Sequence, residues 1–215
     1  MAENLIEAQY DVTKKSKLKK FYEKNKIFIY SFIFLFVFAF GSFSFYLENK
    51  EKKKILLSEN YLQAKIYLEG GNKNKALSVL KEVIFANDPT YSTLCLFLII
   101  NQNLITDYRE LSALFDHLLT NNKFSKEERN LLIYKKALFN SSFVNESDLL
   151  ELIRPLLNAE TVWKPHGLLL LGDYFMSKGE YIKAIELYQQ IFTISNLSKD
   201  LYDHARSQLT KISND

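Results

Sequence analysis

Ile27 to Leu47 reads IFIYSFIFLFVFAFGSFSFYL, 21 consecutive residues without a charge. At about 1.5 Å per residue this makes ~30 Å of helix, enough to cross the hydrocarbon core of a bilayer. A helix in a globular core is rarely apolar on every face for so long. A cleaved signal peptide is the principal rival. Its apolar region runs to about 7–15 residues and closes on small residues at the cleavage site. Here the run is longer, starts only after 26 residues, and ends in Phe43, Phe45, Tyr46 and Leu47. The stretch therefore reads as an uncleaved transmembrane helix over 27–47.

Charges flanking the span give its direction. Lys14, Lys15, Lys17, Lys19, Lys20, Lys24 and Lys26 precede it, and Lys50, Lys52, Lys53 and Lys54 follow it. The positive-inside bias places residues 1–26 in the cytoplasm as a lysine-rich segment and the remainder on the far side. Both clusters also serve as plain anchors to anionic lipid. Gly41, Ser42 and Ser44 would suit a close helix contact within the bilayer, which makes a homo-oligomer a candidate. Lone small residues in a span are common, however, and need no partner.

The net charge of +3 is uneven. Residues 1–54 carry 11 Lys+Arg against 6 Asp+Glu, and residues 55–215 carry 17 against 19. A nucleic-acid partner would require a basic face on the folded part, and none is supplied. With 6 Gly and 3 Pro the chain disfavours a turn-rich β fold. One cysteine, Cys95, excludes an intramolecular disulfide framework. It lies in the apolar run Leu94–Leu98 and is expected to be an inert core residue.

Past the span no Gly or Pro occurs until Gly70, so the membrane helix is expected to run on through a juxtamembrane connector, 48–58, into the first helix of a domain over 59–213. Such continuity would hold the domain close to the bilayer. Gly70-Gly71-Asn72 and Asn87-Asp88-Pro89 bound a helix near 74–86. Further helices fit about 90–101, 106–120, 126–139, 147–158, 166–177, 180–194 and 199–213. Ser125 with Glu127 and Glu128 looks like a helix start, Asn145 and Ser147 are rival caps, and Pro165 suits a first turn. These helices pair at a spacing of about 35–40 residues, the period of stacked helical hairpins.

Leu168-x2-Leu171-Gly172-x2-Phe175, followed by Gly179, Tyr181 and Ala184-x3-Tyr188, resembles the tetratricopeptide repeat. Leu168 stands where that pattern has Trp, and its closing Pro is absent. Gly172 and Ala184 are small where paired helices cross closely, and the large residues fill the groove beside them. A weaker copy runs through Ala64, Tyr67, Ala76 and Leu80. The fold class is thus all-α: one N-terminal transmembrane helix, then a tetratricopeptide-like solenoid of about four hairpins plus a closing helix. The two central hairpins keep the period but little of the signature.

Over nearly its full length this plan resembles the bacterial ancillary subunit of the Sec translocon, a single-pass inner-membrane protein with a periplasmic tetratricopeptide-like domain. The resemblance rests on architecture and on repeat residues shared with many other proteins. It implies a protein-binding scaffold that joins the translocon to periplasmic chaperones or newly exported chains. Alternatives are an envelope adaptor for cell-wall synthesis or outer-membrane assembly, and a cytosol-facing organelle import or assembly receptor.

No chemistry competes with a binding role. His117, His166 and His204 stand singly, with no Cys, His or carboxylate at metal-ligand spacing. There is no Gly-rich phosphate loop, nucleophile elbow or HExxH. No catalytic site, metal or cofactor is expected. Trp163 and Tyr181 are the candidate partner-binding residues, Trp being favoured at interfaces. Packing between hairpins is the commoner fate of such a tryptophan.

Overall fold

The computed structural model describes residues 17–214. Lys14, Lys15 and the rest of the head before residue 17 lie outside the described residues. Among the described residues there are nine α-helices and no strands. The chain divides into two compact units, Met1–Ile55 and Leu56–Asp215. The first helix, α1 (Lys17–Glu69), contributes to both.

In the first unit α1 contains an 18-residue window of mean hydropathy 2.2, none of it buried. Phe28, Phe32, Phe34, Phe36, Phe38 and Phe40 all stand out from its surface. No amphipathic face could pack this segment onto a water-soluble core. The helix is long and apolar enough to span a bilayer, a test that a signal sequence near the N-terminus also passes.

The second unit takes up α1 from Leu56 and adds α2 (Lys73–Phe85), α3 (Pro89–Asn101), α4 (Tyr108–Asn121), α5 (Lys126–Asn140), α6 (Glu146–Leu157), α7 (Lys164–Ser177), α8 (Tyr181–Phe192) and α9 (Lys199–Asn214). From α2 onward each helix packs on the next, and α2 on α4, α5 on α7 and α7 on α9. Helix starts follow from side-chain caps. Asp88, Asp107 and Asn145 each accept a bond from a backbone N–H of the first turn. Asn145, not Ser147, is thus the cap of α6. Ser125 and Glu128 form a reciprocal capping box on α5. Gly71 (φ +74°) and Gly179 (φ +75°) reverse the chain after α1 and α7, and Asn87, Asn103 and Asn196 take the same left-handed conformation elsewhere. Pro155 sits inside α6 at an exposed position.

Two apolar clusters fill the unit. One joins Leu57 and Ala64 of α1 to Leu80, Ile84, Leu96, Phe115 and Leu132. The other joins Ala137, Ile153, Leu171, Phe175, Tyr188 and Ala205. Helix α5 gives residues to both, and its contact with α4 includes two polar pairs beside the apolar one. Lys136, 8% exposed, donates to Asp116 at 2.6 Å, and Asn140 donates to Ser112 at 3.2 Å. Removing the acid leaves a buried ammonium without its partner, whereas removing the lysine leaves an exposed carboxylate in water. Asp116→Ala is therefore expected to lower stability by about 1–2 kcal/mol, discounted for the exposure of Asp116. Lys136→Met should be nearly neutral in the same urea titration.

Cys95 is fully buried, and its thiol is pushed up to about 12 by that burial. Thiolate is the reactive form. Iodoacetamide at pH 8 should leave the native protein unlabelled and modify it fully in denaturant, as read by intact mass.

Candidate partner-binding site

The repeat-signature residues lie mostly in the core. Ala64, Ala76, Leu80, Ala184 and Tyr188 are fully buried, with Leu168, Leu171 and Phe175 nearly so, while Tyr67 is half-buried. Gly172 faces Tyr188, and a Cβ on it would stand 2.4 Å from Tyr188 Cε1. The Tyr188 hydroxyl donates to Asp173 at 2.7 Å, and Asp173 also meets Gln208 and His204 of α9. Burial, then the bond to Asp173, raises the Tyr188 phenol well above its ordinary value.

Trp163 immediately precedes α7, stacks on Tyr134 and lies tilted against His166, ring centroids 5.6 and 5.2 Å away. It is half-buried at this α5–α7 junction, with its indole N–H lacking a partner. Tyr181 opens α8 and is 44% exposed. No shared cavity brings the two together among the described pockets.

The histidines have structural surroundings. His117 bridges Asn87 at 2.8 Å and Asn121, with Phe85 against its ring edge-on. His204 lies 3.5 Å from Asp173. No cluster of three metal-ligating side chains occurs among the described residues.

An apolar hollow lies between α3 and α5. One chamber, about 340 Å³, is lined by Phe97, Ile100, Lys135, Leu138 and Phe139. An adjoining one, about 310 Å³, is lined by Leu94, Phe97, Phe124, Leu131 and Lys123. Phe97 lines both, so the two chambers neighbour one another along the α3–α5 cleft. The α3 wall is the stripe Thr90, Leu94, Phe97 and Asn101, spaced by three or four residues, and the α5 wall is Glu128, Leu131, Lys135 and Leu138. Leu94 and Leu138 are each 41% exposed, one on either wall. Phe143 and Tyr108, stacked at 4.9 Å, continue the aromatic surface from Phe139.

Burial, then the charge of Lys135, holds the His166 imidazole below its usual 6.5. Folded protein thus binds fewer protons there than unfolded, and the stability this contributes is complete above pH 6.5 and lost as pH falls through the folded value. Hydrogen bonds from the Ser125 backbone and hydroxyl hold Glu128 below 4.5, a contribution present above that pH and lost below it. Both signs agree. The urea midpoint should fall steadily from pH 7 towards pH 4, and His166→Gln should flatten its upper part.

No protein-family model, curated protein or solved structure matches the chain.

Proposed function

We propose that the chain is a membrane-anchored, non-catalytic scaffold that holds segments of other proteins. In this reading residues 27–47 stay in the bilayer, the N-terminus is cytoplasmic, and the helical unit is a tetratricopeptide-like solenoid on the far side of a bacterial inner membrane. Packing of α5 on α7 and α7 on α9, with α2 on α4, supports the solenoid. The observation that carries the binding role is the apolar cleft between α3 and α5, where Leu94 and Leu138 stand exposed beside half-buried Phe97 and Phe139. Tethering would raise the concentration of the cleft for partners at the membrane, so modest affinity would suffice. By resemblance, those partners are translocon subunits, periplasmic chaperones or chains emerging from export.

Photo-crosslinking in cells from Leu138, Trp163 and Tyr181, with mass spectrometry of the adducts, tests this. Adducts with translocon subunits, periplasmic chaperones or exporting precursors are expected. Exclusively cytosolic adducts would overturn the orientation, and cell-wall or outer-membrane assembly proteins would replace the translocon assignment.

A further inference from the structure

We infer that the α3–α5 cleft selects apolar polypeptide segments that carry acidic residues; this rests on the scaffold reading and adds the chemistry of its ligand. Helix α3 has no charged residue along its whole length, PTYSTLCLFLIIN. Every charge at the cleft therefore comes from α5 or the turn before it, namely Lys123, Glu128 and Lys135.

These three are not equivalent. The Glu128 carboxylate accepts from the Ser125 N–H at 2.9 Å and from the Ser125 hydroxyl at 2.8 Å, so it is engaged in capping α5. Lys123 and Lys135 have no ion-pair partner among the described residues. One stands at each chamber, beside Phe124 and Leu131 for Lys123 and beside Leu138 and Phe139 for Lys135. Glu128 remains ionised and offsets Lys123 in their shared chamber, whereas the Lys135 chamber holds no acid, and its positive charge complements a carboxylate flanking apolar side chains. Aromatic walls such as Phe97 and Phe139 suit anchors of the kind that dominate binding energy.

The length fits a short segment. Helix α3 has 13 residues, about 20 Å of wall, which accommodates roughly six residues of extended chain. A second copy docking through the same cleft is disfavoured on charge. Two copies would bring together two lysines and one glutamate from each cleft, a net excess of positive charge.

Full-length protein in detergent micelles can be titrated into a short fluorescein-labelled peptide of leucine, phenylalanine and glutamate, and into its counterpart with lysine for glutamate. Anisotropy should show the acidic peptide bound about tenfold more tightly, with the difference shrinking at high salt. Lys123→Glu with Lys135→Glu should reverse that preference, and Leu138→Asp should weaken both peptides about tenfold or more. These side chains are exposed, so the helical circular dichroism signal should be unchanged in each variant.

Equal binding of the two peptides would overturn the charge selection and leave the scaffold reading standing. Acidic-peptide binding indifferent to Leu138→Asp would remove the cleft as the site. Dissociation of a dimer by Leu138→Asp would show that a second copy fills the cleft, contrary to the inference.

Discussion

Tyr188→Ala should destabilise the helical unit by about 3–5 kcal/mol, among the largest losses expected from any single side chain. Tyr188 is fully buried, fills the space over Gly172, and hydrogen-bonds Asp173 on the same helix as that glycine. Truncation would open a cavity between α7 and α8 and free Asp173 from one of its contacts. Gly172→Ala attacks the same junction from the other side. Alanine is the better helix former by about 1 kcal/mol, yet its Cβ would lie inside contact distance of three Tyr188 ring atoms. A net loss of about 1–2 kcal/mol is expected. In a Tyr188→Leu background the same substitution should be neutral or stabilising, giving a coupling of about 1 kcal/mol or more. Trp163, the single tryptophan, reports each urea transition from within the α5–α7 junction. Additive effects would show that the glycine is not there to admit the tyrosine.

Phe34→Arg combined with Phe38→Arg should abolish membrane integration. Each arginine near the middle of a spanning helix costs about 2.5–3.5 kcal/mol on insertion scales, so the pair opposes insertion by roughly 6 kcal/mol. Both phenylalanines are well exposed on α1 in the first unit, so their replacement removes no packing there. The chain should leave the alkali-washed membrane fraction while the urea midpoint of the helical unit is unaltered. Retention in the membrane would show that residues 27–47 are not what holds it.

Helix ends were the most legible part of the sequence, because caps and left-handed glycines act locally. Asp88, Ser125 and Gly179 mark boundaries whatever packs around them. The continuous α1 was legible for a related reason: nothing between Leu47 and Gly70 breaks a helix. Lys136 was not, since a lysine reads as surface until an acid on a neighbouring helix is placed beside it. The cleft was hidden by the very composition that makes it apolar. With no polar residue to mark an outer face, Leu94–Leu98 read as uniform core, whereas Cys95 and Leu96 are buried and Leu94 faces out. Trp163 and Tyr181 drew attention by residue type, and neither lines the cleft. Finding its walls needs the register of α3 against α5, which depends on contacts far apart in sequence.

Whether the apolar helix is kept decides between a tethered scaffold and a free one. The direct measurement is the intact mass and N-terminal sequence of the protein recovered from alkali-washed membranes of cells expressing the full chain. A membrane-bound species whose sequence still includes residues 27–47 is the expected result. A soluble species beginning beyond Leu47, with none left in the membrane, would contradict the anchor and with it the tethered function.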